Sequence, residues 1–144
     1  VADVVVAGDD EPIATMDRPW FTHALEAETA EAFLRVYVAG VGDVLERVAE
    51  IAKVVVAASA MDPEVAELWS DGVDPRFVVQ QTAAKALTKK PGARPGLSDG
   101  EAADLVYCLL SPELYLLFTR ERGWPQQRWQ QWAFDTLRSQ LCEP

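Results

Sequence analysis

Few residues in this chain are equipped for acid–base or covalent chemistry. His23 is its single histidine. Any serine or cysteine nucleophile activated by an imidazole would have to use it, and nothing at a recognisable spacing supplies the partner. A lone histidine near a helix start is more often solvated or structurally satisfied. One histidine also excludes a histidine-rich metal centre within one subunit. Cys108 and Cys142 make neither a disulfide framework nor a CxxC pair. Cys108 falls in an apolar helical pattern and is expected to be a buried, reduced thiol. The carboxylates of Glu28, Glu31 and Glu46 lie on one helix and read as solvated. Asp9-Asp10-Glu11 reads as a loop rather than a metal site. No GxGxxG or P-loop phosphate cradle, HExxH, GxSxG or EF-hand loop is present. Catalytic residues, metal and cofactor are all expected to be none.

Non-covalent recognition is what remains. A formal net charge of −10 makes the chain a poor partner for nucleic-acid phosphates. No apolar run approaches the length of a membrane span, and the N-terminus lacks the basic segment of a signal peptide. A cytoplasmic setting without membrane contact is the expectation. The middle of the chain carries apolar and aromatic residues at helical positions: Phe33, Tyr37, Val41, Val55, Met61, Trp69, Phe77 and Tyr107. Each fits plain core filling. Together they are the candidates for lining a mostly apolar cavity, which would suit an apolar, aromatic or cationic small molecule.

The elements that must position these residues read as helices. Val4-Val5-Val6 is either a strand or the end of a longer helix, and Gly8 to Pro12 stops it. Starting at Val1 rather than methionine suggests residues upstream. Ile13 to Thr22 reads as a loop in which Trp20 and Phe21 plug onto the core. Glu28 to Glu50 is a strong amphipathic helix by its three- and four-residue spacing, weakened by roughly 1 kcal/mol at each of Gly40 and Gly42. Small residues there either admit a close neighbour or leave slack packing. Ile51 to Ala60 has the β-propensity of Val54-Val55-Val56 but no partner strand, which favours a buried helix. Asp62-Pro63-Glu64 and Asp74-Pro75 are helix starts, each a capping aspartate followed by a proline in the first position. Ser70-Asp71-Gly72 separates them as a turn. Lys85, Lys89 and Lys90 suit the carboxyl end of the second helix.

Ser98 to Leu141 reads as two apolar helices in series. Ser98 and Glu101 fit a capping box. Pro112 should break the first helix near Ser111, because a proline there removes a hydrogen bond and clashes one turn back, at roughly 3 kcal/mol. Gly123 fits a left-handed helix end. From about Pro125 a last helix follows. Two such helices present more apolar face than one thin partner layer covers. The surplus points to self-association through Leu105, Leu109, Leu114, Phe118, Trp129, Trp132, Ala133 and Leu137.

In that order and at those distances, several short stretches resemble the C-terminal part of TetR-family transcriptional regulators. They are Ala7 to Pro12, Arg18-Pro19-Trp20, Met61-Asp62-Pro63-Glu64 with Leu68-Trp69, Arg94 to Ser98, Glu101 to Asp104, Leu110 to Tyr115, and Arg120 to Trp124. The resemblance spans nearly the whole chain. It implies an all-α effector-binding and dimerisation domain over residues 1–144, whose last two helices join those of a second copy in a four-helix bundle. It implies a repressor-like regulator, with DNA bound only through an N-terminal helix-turn-helix that this chain lacks, and with Val1 to Gly8 as the tail of the connecting helix. The chain departs from the pattern at Asp71 to Pro75, where relatives carry one long helix, and at Pro125-Gln126-Gln127, where a Ser-Pro-Glu cap is usual. The expected partners are a second copy and a small-molecule effector. The competing reading is a standalone helical dimeric scaffold without a ligand.

Overall fold

The computed structural model describes residues 15–66 and 75–144, without the side chains of Ala52, Val55, Val56, Ser59, Val65, Ala66 and Pro75. The expectations for Val1 to Pro12 and for the turn Ser70 to Asp74 lie outside the described residues. Every regular element described is helical. A 3₁₀ turn at Thr15–Asp17 leads into α1 (Pro19–Leu25), α2 (Ala30–Met61), α3 (Pro63–Ala66), α4 (Pro75–Leu87), α5 (Asp99–Leu109), α6 (Pro112–Leu116) and α7 (Gln126–Leu141). Of the expected loop Ile13 to Thr22, the described part from Thr15 is therefore not a simple loop. Arg18 sits in extended backbone as the N-cap of α1, and Pro19 takes the first helical position where its missing N–H costs nothing.

The 32-residue α2 is the axis of the fold. Thr29 caps it by accepting the Ala32 N–H at 3.1 Å. Its buried residues Ala30, Phe33, Leu34, Tyr37, Val38, Val41, Val44, Leu45, Val48 and Ala49 recur at three and four, forming one continuous stripe. The helix extends past Glu50 through the ambiguous valine segment, so the helical choice there is right. Burial is not: Ile51 and Val54 are 55% and 67% exposed. Length explains this. Thirty-two residues span roughly 48 Å at 1.5 Å each, and the sixteen-residue α7 covers about half of that. Asp62 then ends α2 and starts α3, its Oδ1 accepting the Glu64 N–H at 2.9 Å.

Gly40 and Gly42 are where neighbours come closest. A methyl group at Gly40 would overlap the Trp20 indole, and one at Gly42 would lie 3.0 Å from Trp129. Close approach, rather than slack packing, accounts for both. Opposite α2, α4 packs along α5, burying Gln80, Ala83, Ala84 and Leu87. Lys90 Nζ reaches back to the Leu25 and Ala27 carbonyls at 2.7 and 2.6 Å, satisfying the end of α1. After α7 the tail pairs with the α4–α5 loop in an isolated antiparallel bridge between Ala93 and Cys142. The Arg94 N–H donates to the Leu141 carbonyl and the Glu143 N–H to the Gly92 carbonyl, each at 2.8 Å.

Asp99–Glu121 carries an eighteen-residue window of mean hydropathy 1.3, long and apolar enough by length and composition to cross a membrane. That amends the expectation that no run approaches such a length. The run is not one continuous α-helix. It breaks where Pro112 predicts, with Leu110 ending α5 and the Ser111 hydroxyl capping α6 by accepting the Leu114 N–H at 3.1 Å. Beyond α6 the backbone widens into a π turn at Leu117–Glu121, closed by the Arg122 N–H donating to the Leu117 carbonyl at 3.0 Å. Gly123 leaves it at φ 71°, the left-handed position expected. Ser98 caps α5 from Glu101 N–H at 3.1 Å, and the Glu101 carboxylate pairs with Arg94 at 2.8 Å.

Candidate functional site

A cavity opens where α1, α2, α4 and the α5–α6 break converge. Its floor is the α2 stripe Tyr37, Val41, Val44, Leu45 and Val48. Trp20 of α1 forms one wall and Val79 and Gln80 of α4 another. Leu110 and Pro112 close the third side, so the helix break itself borders the space. The volume is about 50 Å³, enough for a few waters and less than the roughly 150 Å³ in which an apolar cavity admits benzene.

The polar groups on this wall are few and placed by the helices that carry them. Tyr37 is 1% exposed and Gln80 3%, and the Tyr37 hydroxyl donates to Gln80 Oε1. Burial pushes the Tyr37 phenol far above the usual tyrosine range, against the opposing positive charge of Arg76. Tyr37 is thus a neutral donor. Arg76, in the first turn of α4, donates from Nη1 to the Tyr107 carbonyl at 2.9 Å, and its guanidinium lies 3.8 Å from the centre of the Tyr107 ring. Thr15 completes the polar set.

Of the residues expected to line a pocket, Tyr37 and Val41 do so. Phe33 stacks on Tyr37 at 5.4 Å and supports it from within the core. Phe77 and Tyr107 meet edge to face at 4.9 Å along the α4–α5 seam, outside the cavity. Tyr107 bears on the cavity through Arg76, which it holds with its carbonyl and ring. Met61 is 88% exposed at the tip of α2, so it is no wall residue. The Val55 side chain and Trp69 lie outside the described residues. Missed by sequence reasoning were Thr15, Trp20, Arg76 and Gln80 among others. Gln80 had a signal: it stands three residues after Phe77 and four before Ala84, a polar group inside an apolar stripe. His23 is exposed on α1 and touches none of this.

The second candidate region is the outer side of the last helices. Trp129, Ala133 and Leu137 are each 0% exposed, with Phe134 and Leu141 also buried. They form the face that α7 packs on α2, so these three are core residues of one copy and not a surface for another. Gln126 fixes that packing. Its Nε2 donates to the Gly42 carbonyl at 2.9 Å, and its Oε1 accepts the Tyr115 hydroxyl. Leu105, Leu109, Leu114, Phe118 and Trp132 are half-buried. Phe118 stacks on Trp124 at 4.3 Å and leans on Trp132 at 4.6 Å. Arg128 covers the outer face of Trp124 at 4.1 Å. Leu117 is 46% exposed beside them. Cys108 is exposed too, not buried, because α5 turns Ala102, Ala103 and Val106 inward instead. The chain matches no protein-family model, no curated protein and no solved structure.

Proposed function

We propose that this chain is the effector-sensing and dimerisation domain of a TetR-like transcriptional regulator. Its cavity would take a small, mostly apolar ligand, and its last helices would clasp a second copy. DNA would be bound through a helix-turn-helix outside this chain, in the cytoplasm, most simply as a repressor. The supporting observation is that one apolar cavity borders the Leu110–Pro112 break. A ligand that enlarges the cavity presses on that break. From there α6 and the π turn lead directly to Phe118, Trp124 and Trp132. Cavity and association face are joined by one short path. A ligand favouring one arrangement of the path shifts the dimer towards it. Dimeric DNA readers space their half-sites by roughly 34 Å, so small shifts release them. The association face in this reading is narrower than the sequence suggested: Leu105, Leu109, Leu114, Leu117, Phe118 and Trp132.

The test is titration of the chain with a panel of small apolar compounds, following the Trp20 indole N–H by NMR and association by sedimentation. At least one compound should move the Trp20 signal and alter the association constant. The Val44→Trp variant, with the cavity filled, should lose both responses while keeping its helix content. A chain that stays monomeric at micromolar concentration, with a Trp20 signal that no compound moves, would reject the reading. The scaffold alternative gains from the small cavity volume. It requires dimers whose association no cavity-directed compound changes.

A further inference from the structure

We infer that Gln126 is the positioning residue that couples the cavity to the association face, by tying the start of α7 to two elements of the cavity wall at once. This rests on the sensing role proposed above and names the residue through which an occupied cavity is read out. The helix α7 begins without a local tether. Its N-cap is Pro125, whose ring makes no bond to the free N–H groups of the first turn. Gln126, the first helical residue, sends both ends of its amide to other elements instead. Its Nε2 donates to the Gly42 carbonyl on α2 at 2.9 Å. A carbonyl has two lone pairs, so this bond can add to a helical one. Its Oε1 accepts the hydroxyl of buried Tyr115 on α6. Gly42 admits the amide by lacking a side chain, since a Cβ there would lie 3.2 Å from the Gln126 nitrogen.

Both partners are attached to the cavity wall. Gly42 directly follows Val41 and stands two residues before Val44, both on the cavity floor. Tyr115 shares the short helix α6 with Pro112, which borders the cavity from the side of the break. Gln126 therefore bridges floor and break. A ligand that presses Pro112 away from α2 carries Tyr115 away from Gly42, and one amide cannot follow both. A bond of 2.9 Å is lost by roughly 3.6 Å, so a sub-ångström opening breaks one arm. The start of α7 is then free to shift. Trp124 just ahead of it and Trp132 on α7 both contact Phe118 in the proposed association face. Trp129, edge to face with Tyr115 at 5.0 Å, moves with the same contact. An apolar side chain of similar size would fill the space yet hold neither partner at a fixed distance.

The experiment is a double-mutant cycle on the association constant of the full chain, measured by sedimentation. Val48→Phe fills the cavity covalently and stands in for a ligand. In the parent it should change the association constant at least about fivefold, the low end of allosteric coupling. In a Gln126→Leu background the same change should fall below about twofold, the range in which independent sites add. A purely structural Gln126 would weaken the fold in both backgrounds and leave the Val48→Phe effect undiminished, which overturns the inference and leaves sensing intact. Should Gln126→Leu fail to fold, Gln126→Glu makes the same comparison: it keeps an acceptor for Tyr115 and loses the donor to Gly42. Should Val48→Phe fail to fold, Val48→Leu replaces it. If the filled cavity leaves association in the parent unchanged, the sensing role falls and this inference with it.

Discussion

Alanine at three different glycines sets two known effects against each other. Replacing a helical glycine by alanine gains about 1 kcal/mol in backbone entropy and propensity. Overpacking a filled site costs about 1–3 kcal/mol. At Gly100 nothing lies within 4 Å of the added methyl, so Gly100→Ala should stabilise by about 0.5–1 kcal/mol. At Gly42 the methyl meets Trp129 at 3.0 Å and Gln126 at 3.2 Å. Trp129 is wholly buried and cannot withdraw, so the two effects should nearly cancel. At Gly40 the clash is with the inner ring atoms of Trp20, and overpacking wins by about 1–2 kcal/mol. Urea midpoints should therefore rank Gly100→Ala above the parent and Gly42→Ala, with Gly40→Ala last. Tyr37 gives a pH dependence of definite sign. Its phenol ionises near pH 10 when unfolded and well above that when folded. The fold binds the proton more tightly, so stability is intact below about pH 10 and is lost as pH rises towards the folded value. Tyr115 adds to this in the same direction, raised by burial and by the Glu46 charge. In Tyr37→Phe the alkaline loss should be visibly shallower, on a baseline about 1–3 kcal/mol lower because Gln80 loses its partner. Denaturant melts across the alkaline range measure both.

Among the elements, α7 separates core from surface most sharply. Trp129→Ala should cost about 3–5 kcal/mol, as for a large buried aromatic. Trp132→Ala, half-buried, should cost well under half as much yet weaken self-association. If Trp129→Ala dissociated dimers while barely changing stability, the inward face of α7 would be assigned wrongly. The sequence made the helices legible because their determinants are local. The caps at Ser98 and Asp62, the break at Pro112 and the left-handed Gly123 each depend on a few neighbouring residues. Which face of α7 turns inward was not legible. Trp129 and Trp132 have the same composition signal, and the docking of α7 on α2, with Trp129 and Gln126 against Gly42, decides between them. The cavity was half legible for the same reason. Its α2 floor follows helical periodicity, whereas Trp20 and Arg76 arrive from distant segments that no spacing rule connects. The exposed tip of α2 likewise reflects how far its neighbours reach, not anything in Ile51 or Val54 themselves.

For the whole molecule, the charge is the quantity that the proposed association would have to overcome. Two copies at −10 each repel, and that repulsion falls as added salt shortens the screening length. If Leu117, Phe118 and Trp132 form the contact, the dissociation constant should drop severalfold between about 0.05 and 0.5 M salt, as sedimentation would measure. An ion-pair-driven contact would show the reverse. Arg120, paired with Glu50 across to α2, is already engaged within the copy and should contribute little to either trend.

The strip between the tail and the α4–α5 loop has a mechanical corollary. Its two amide links, one from Arg94 to the last residue of α7 and one from Glu143 to Gly92, stand in the path of any tension applied at the carboxyl end. Pulling there would peel the tail from Gly92 and Arg94 first, loosening the segment that launches α5 while α2 and α7 stay docked. In an optical-trap experiment the first event would be a short, low-force extension ahead of the main rupture, and it would shrink in a chain ending at Leu141, which loses the Glu143 link and keeps the one from Arg94.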